Sequence, residues 1–225
     1  MKNMKTNAIS RMNCDRIAPY YQSLEHLSFG KSLERRRFAF LEETRTSRRA
    51  VVCGGGDGRF LARLLRTNSK VQIDFVEISP RMIELAERRV AGMGRTYRDR
   101  VRFHVADVCE FQAQSEAYDL IVTNFFLDCF SDTELANVVT RLAGWGAARG
   151  RWLVSDFCEA DGAIRHFWTS AIIRGIYGAF RITTGLRVTS LANYMTALAR
   201  VGYRKRHEET ALGGLLQSSL LARDH

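Results

Sequence analysis

The chain has 225 residues, 46% of them hydrophobic and 26% charged. That apolar content fills one sizeable core, suits a single α/β domain rather than two, and excludes a disordered or fibrous chain. The formal charge of +10 favours anionic partners, but the basic residues are scattered, at 35–37, 48–49, 88–89 and 204–206, so charge alone does not select nucleic acid. The five cysteines, Cys14, Cys53, Cys109, Cys129 and Cys158, contain no C-x-x-C pair. Their odd number argues against a disulfide framework or zinc site and for a reducing compartment. The start, MKNMKTNAIS, lacks an apolar signal core, and no uncharged run of about 18 apolar residues occurs. A cytoplasmic protein is expected, with room for peripheral membrane contact.

In chain order, residues 15–46 read as two helices. Tyr20, Leu24 and Leu27 have helical spacing, Phe29-Gly30 breaks the first helix, and Leu33 to Glu43 continue as the second. From residue 49 the pattern alternates between strand and helix. Ala50 to Cys53 is a short apolar strand ending in glycines, and Arg59 to Arg66 a helix. Val71 to Val76 is a second strand, after which Ser79 serves as N-cap and Pro80 opens a helix. Val101 to Val105 and Leu120 to Thr123 are the third and fourth strands, then Thr133 to Leu142 a helix and Trp152 to Ser155 the fifth strand. Leu191 to Arg200 is helical, and Tyr203 to Glu208 with Leu215 to Leu221 read as a closing pair of strands.

This alternation predicts a mostly parallel sheet covered on both faces, with ligands bound beyond the carboxyl ends of its strands. Polar residues fall at those ends. Gly54, Gly55, Gly56, Asp57 and Gly58 follow the first strand and open a helix whose N-terminus suits an anionic group. Glu77 follows the second strand, about twenty residues beyond the turn, where a carboxylate can accept both hydroxyls of a ribose. Asp107 follows the third strand and can accept from an adenine amino group, with the Val108 N–H beside it. Asn124 follows the fourth. The dinucleotide fingerprint is G-x-G-x-x-G/A; here its sixth position is Arg59, so the turn reads G-x-G-x-G and a nicotinamide or flavin enzyme is the weaker reading.

These segments resemble the class I S-adenosylmethionine-dependent methyltransferases over about residues 15–221. AVVCGGGDGRFL is similar to the family's first motif, VQIDFVEISPRMIELAERR to its second strand with the ribose acid, VRFHVADV to the adenine segment and YDLIVTNFFLDCF to the substrate-facing fourth strand. DRIAPYYQSLEHLSFG further resembles the N-terminal helix of the ubiquinone/menaquinone-biosynthesis branch. The resemblance implies a Rossmann-like fold: a seven-stranded, mostly parallel sheet with an antiparallel closing strand and helices on both faces. Residues 1–46 would form a helical lid and 47–225 the cofactor domain, with a cap inserted at about 161–185. The implied cofactor is S-adenosyl-L-methionine, held by Gly54 to Gly58, Glu77, Ile78, Asp107, Val108 and Asn124, with no metal. Two departures stand out. Where the family often has an acid near the cofactor amine, this chain has Val52, which leaves backbone carbonyls near Gly54 or Asn124, or an acid such as Asp128, to hold that amine. Where the family usually has Pro-Gly-Gly, Ala148-Arg149-Gly150 stands, a change expected in a loop.

Methyl transfer from a sulfonium needs positioning above all, with a general base for an oxygen or carbon nucleophile. Candidate bases are Asp128, His166, Tyr21 and His26; Asp128 could equally cap a helix, and His104 reads as core. In the cap, Ile164, Trp168, Ala171, Ile172, Gly175 and Ala179 make an apolar stripe interrupted by Arg165, Arg174 and Arg181. Such a stripe is ordinary core or a surface for a lipophilic, aromatic, quinone-like or lipid-related acceptor. The expected partner is a small molecule, with membrane contact and a homodimer both compatible. A nucleic-acid methyltransferase is the rival within the class, weakened because Asn124-Phe125-Phe126 lacks the prolines of N-P-P-[YF]. A non-catalytic, cofactor-binding accessory protein is the rival outside it.

Overall fold

The computed structural model describes residues 31–158 and 193–223. The expected helix around Tyr20 to Leu27 and the expected cap at 161–185 lie outside those residues. The described elements are α1 (Ser32–Arg37), β1 (Arg49–Cys53), α2 (Arg59–Thr67), β2 (Gln72–Glu77), α3 (Pro80–Ala91), α4 (Arg95–Arg98), β3 (Val101–Val105), β4 (Tyr118–Asn124), α5 (Asp132–Trp145), β5 (Gly146–Phe157), α6 (Tyr194–Arg200), β6 (Tyr203–Ala211) and β7 (Leu216–Arg223).

The seven strands form one sheet in the order β3-β2-β1-β4-β5-β7-β6. Strands β1 to β5 run parallel, and β7 lies antiparallel between β5 and β6. The central strands are apolar on both faces because both are covered. On β1, Ala50 and Val52 share a core with Phe60, Leu61, Leu64 and Leu65 of α2 and Ile83, Ala86 and Val90 of α3. Val51 and Cys53 point the other way, into a core with Leu135, Val138, Val139 and Leu142 of α5 and Leu198 of α6. Trp152 is fully buried in that second core; its indole N–H donates to Thr123 Oγ1 at 2.9 Å and its ring meets Tyr203 edge-on.

Local chemistry starts the helices where the sequence places them. Ser79 Oγ accepts from the Met82 N–H at 3.1 Å with Pro80 at the first helical position. Ser131 and Glu134 close a capping box at α5, and Asn193 accepts from the Thr196 N–H at α6. Three expectations shift. The helix expected over Leu33–Glu43 stops at Arg37, and the chain turns through Phe40, at φ 58°, into a 3-10 turn at Leu41–Thr44. Packing decides this: the Phe38 ring stacks on Phe60, and Phe40 meets His207 of β6. Strand β5 begins six residues earlier than Trp152, at Gly146, which pairs with Tyr118 across a register shift. Ala148-Arg149-Gly150 therefore lie within an irregular strand start rather than a loop. The single turn α4 has no apolar periodicity to announce it.

The register aligns the strand ends. Cys53 pairs with Val76 and Thr123, Glu77 with Val105, and Asn124 with Ser155. One edge of the sheet thus gathers the ends of five strands. The entry of the chain into α2 is tight there: Gly58 has φ 78°, and a Cβ on it would stand 2.7 Å from Ala86 Cβ and 2.9 Å from Ala86 Cα on α3. Gly58→Ala should cost about 1–3 kcal/mol by overpacking, read as a lower urea midpoint at unchanged slope; an unaltered midpoint would mean the two helices separate freely.

Candidate functional site

The glycine turn and the end of β2 are bonded to each other. Glu77 is 7% exposed. Its Oε2 accepts from the Gly56 N–H at 3.0 Å and its Oε1 from the Ser79 N–H at 3.1 Å. A carboxylate offers about four acceptor positions, so this arrangement aims the group while it still suits further hydroxyl donors. Gly55 lies against the Phe75 ring, where a Cβ would stand 2.2 Å from Cε2, and Gly54 lies equally close to the Phe126 ring. Gly56 differs. Its φ is 56° and, among the described residues, a Cβ there would meet nothing within 4 Å, so its outer side is open toward the strand ends.

Asp57 is placed differently from the rest of the turn. Its carboxylate accepts from Arg59 Nε and Arg89 Nη2, both at 3.0 Å, and its carbonyl from Arg89 Nε. It clamps the turn to α3. Asp107 is buried, and its Oδ1 accepts from the Cys109 N–H at 2.8 Å, which holds the turn after β3. Burial and the Asp107 charge push the Cys109 thiol up to about 12, so it stays neutral. Val108 is buried in the core and Ile78 packs against it. Asn124, at the end of β4, has a buried amide nitrogen, Nδ2, with no hydrogen-bond partner among the described residues. A buried donor without an acceptor is costly unless a ligand supplies one.

Beyond Asn124 the chain makes a sharp turn. Phe125 sits at φ 53°, its N–H donating to the Ser155 carbonyl at 2.6 Å. Its ring meets Phe157 at 5.6 Å, and the Arg37 guanidinium lies 5.5 Å above its centre. Phe126 packs edge-on against Phe130. An aromatic wall with one cation therefore borders the ends of β4 and β5. Asp128 is 7% exposed, in a 3-10 turn beside it, and shares a side-chain hydrogen bond with Asp156, which is fully buried. Asp156 Oδ2 also accepts from the Leu127 and Asp128 N–H groups.

Of the expected residues, the structure brings together the glycine turn, Glu77, Asp107, Val108, Asn124 and Asp128 on one sheet edge. Tyr21, His26 and His166 lie outside the described residues. His104 is not core: its side chain is 30% exposed and its Nε2 is 2.8 Å from Asp74 Oδ1, whose other oxygen accepts from Tyr118. Val52 is 1% exposed and faces α2 and α3, so that position holds a packing residue. Sequence reading missed Asp156, Arg37, Phe157 and Tyr194. Asp156 could have been found as the acid that directly follows the expected fifth strand; the others carried no local signal. Among the described residues, no cluster of three or more His, Cys, Asp or Glu side chains could hold a metal ion, and no helix is long and apolar enough to cross a membrane.

Burial, then the Asp128 charge, hold the Asp156 carboxyl well above the usual range. The unfolded chain releases that proton near its ordinary value of about 3.9. Asp156 therefore supports folding fully below that pH, and its contribution falls as pH rises toward the raised folded value. Asn at 156 cannot ionise. The urea midpoint of Asp156→Asn relative to the wild type should climb between pH 5 and pH 8; a constant difference would place no proton on Asp156.

Comparison with known proteins agrees with this geometry. Residues 51–151 match the family described as methyltransferase domain. Two curated relatives, both polyamine aminopropyltransferase 2, from Bacillus cereus and Bacillus anthracis, are 30% identical over 122 residues, 51% of this chain. The chain spans about a third of the length of these relatives, 33% and 34%. Among solved structures, the Burkholderia thailandensis 1,6-didemethyltoxoflavin-N1-methyltransferase, bound to 1,6-didemethyltoxoflavin and S-adenosylhomocysteine, superposes at TM-score 0.66 with 15% identity over 100% of this chain and 94% of that one. The N-methyltransferase NodS from Bradyrhizobium japonicum, with S-adenosylhomocysteine, gives 0.60 with 16% identity over 91% and 98%. The chain therefore has the fold of the class I S-adenosylmethionine-dependent methyltransferases, and a match to their methyltransferase domain runs from its first strand into its fifth.

Proposed function

We propose that the chain is an S-adenosylmethionine-dependent methyltransferase acting on a small, aromatic or lipophilic acceptor. The observation that carries this reading is the Glu77 carboxylate, pinned by the glycine turn and aimed at the same strand edge as Asn124. The cofactor fits the residues present. Glu77 would take the ribose hydroxyls, and the Asp107–Val108 corner the adenine. The open side of Gly56 would admit the methionine end, and the partnerless Asn124 amide would donate to its carboxylate. When bound, the sulfonium supplies an already activated methyl group, so the protein's part is to bind, orient and exclude water. Ile78 would border the nucleoside, while Asp57 acts through the turn it clamps. The amine is left to carbonyls near Gly54 or Asn124, since Val52 is buried.

The aromatic wall of Phe125 and Phe157 with Arg37 above it supports a flat acceptor that carries a hydroxyl or negative charge. A quinone-like acceptor, and contact with a membrane surface, belong to this finer reading. The aminopropyltransferase relatives support one second reading, transfer of an aminopropyl group; the net charge of +10 weighs against a cationic acceptor.

Methyl-labelled S-adenosylmethionine and its decarboxylated form, each offered in a small-molecule extract, separate the two. Methyl transfer puts the label on a new acceptor product, whereas aminopropyl transfer leaves it on the sulfur nucleoside. Gly56→Val should abolish S-adenosylhomocysteine binding in calorimetry by filling the open side of the turn. Glu77→Ala should weaken it by about 1–3 kcal/mol. Unchanged affinity in both variants would remove this turn from the site.

A further inference from the structure

The acid pair at the ends of β4 and β5 is built more elaborately than a helix cap requires. Asp156 is 0% exposed, yet it accepts from the Leu127 N–H at 2.9 Å and the Asp128 N–H at 3.3 Å, and shares a hydrogen bond with the Asp128 side chain. Two carboxylates in contact cannot both ionise at such a site without a large repulsion, so one proton is retained between them. A second, independent feature points to a ligand. Tyr194, at the start of α6, is 3% exposed, and its hydroxyl is buried with no hydrogen-bond partner among the described residues. After burial, the charge that acts most on that phenol is Asp156, followed by Cys158, Glu208 and Asp128. A phenol hydroxyl near two acids but bonded to neither is a donor and acceptor held for something else.

We propose that Asp128 is the proton acceptor of the transfer, that Asp156 is the positioning residue that holds it, and that the Tyr194 hydroxyl bonds the heteroatom of a hydroxyl or amine acceptor. This rests on the methyl-transfer reading above. In the step, the acceptor's oxygen or nitrogen forms a bond to the methyl carbon as the carbon–sulfur bond breaks, and that bond's electron pair goes to sulfur. The acceptor's proton passes to Asp128. A fully ionised pair would be forced apart, and a doubly protonated pair could take up no proton. The singly protonated pair alone combines an ordered geometry with a basic oxygen. Among the described residues, the groups that bear on the pair are the Phe157 and Leu127 N–H groups, which donate to Asp156, and Cys129, whose thiol donates to Asp128 Oδ1; the Tyr194 phenol of α6 feels the charge of both acids. The Arg37 guanidinium of α1 lies over Phe125 on the neighbouring strand end.

Two measurements on the full chain with bound S-adenosylhomocysteine decide it. Carbon-13 NMR of labelled aspartate should show one carboxyl titrating well above the ordinary value of about 3.9, absent in Asp156→Asn and moved downward in Asp128→Asn. If every aspartate titrates in the usual range, or Asp156→Asn keeps the high one, the shared proton is refuted. The second readout is the pH profile of label transfer from methyl-labelled S-adenosylmethionine into a deproteinised small-molecule extract. Asp128→Asn should lower the rate by about 100-fold or more while S-adenosylhomocysteine affinity stays within twofold. Asp156→Ala should also lose rate, and Asp156→Asn should recover part of it while losing the high-pH limb of the profile. Transfer unaffected by Asp128→Asn would sink this proposal alone, as would a tenfold loss of S-adenosylhomocysteine affinity with turnover kept, which would make Asp128 a cofactor ligand. No transfer by wild-type chain would instead overturn the methyltransferase reading along with it.

Discussion

Glu77 holds the site together through two backbone N–H groups, Gly56 at 3.0 Å and Ser79 at 3.1 Å. Those bonds join three pieces of chain: the end of β1, the end of β2 and the start of α3. A buried carboxylate is tolerated because each oxygen is satisfied, and in return the glycine turn has one conformation. Much of the surrounding packing serves that geometry. Phe75 fills the space a side chain at Gly55 would need, Ala86 lets α3 approach Gly58, and Asp57 ties the turn to Arg59 and Arg89. The register of the parallel strands then carries Asn124 and Asp107 to the same edge.

The site has two halves with different physics. The half around β1 to β3 is polar and fixed by backbone hydrogen bonds. The half around the ends of β4 and β5 is aromatic. Phe125, Phe126 and Phe157 provide flat apolar surface, Arg37 one cation, and the Asp128–Asp156 pair a buried acid. Phe125 holds a left-handed backbone there, which a large side chain does not favour. The turn is stabilised by its N–H bond to Ser155 and by its ring contacts with Phe157 and Arg37.

What was legible in the sequence is what depends on neighbours in the chain. Strand β3 and the start of α3 sit where apolar alternation, Ser79 and Pro80 put them. The glycine turn, Glu77, Asp107 and Asn124 could be placed because each follows a strand, and parallel topology sends strand ends to one edge. What was not legible depends on partners distant in sequence. The α1 helix ends early because Phe38 and Phe40 meet Phe60 and His207. His104 alternates like a core residue, yet β3 is an edge strand, and Asp74 on β2 holds it at the surface. Asp128 stood out as an acid in an apolar segment. Asp156 did not, since its contact with Asp128 exists only once β4 and β5 pair. Val52 shows the limit of motif reading: the position before the glycine turn is given to the core between β1 and α2.

The central claim is that this strand edge takes an adenosyl sulfonium rather than a dinucleotide. Equilibrium titration of the full chain with S-adenosylhomocysteine, and in parallel with a nicotinamide dinucleotide, tests it most directly. Saturable one-site binding of the first and none of the second is the predicted result. Binding of the dinucleotide with no affinity for S-adenosylhomocysteine would contradict it.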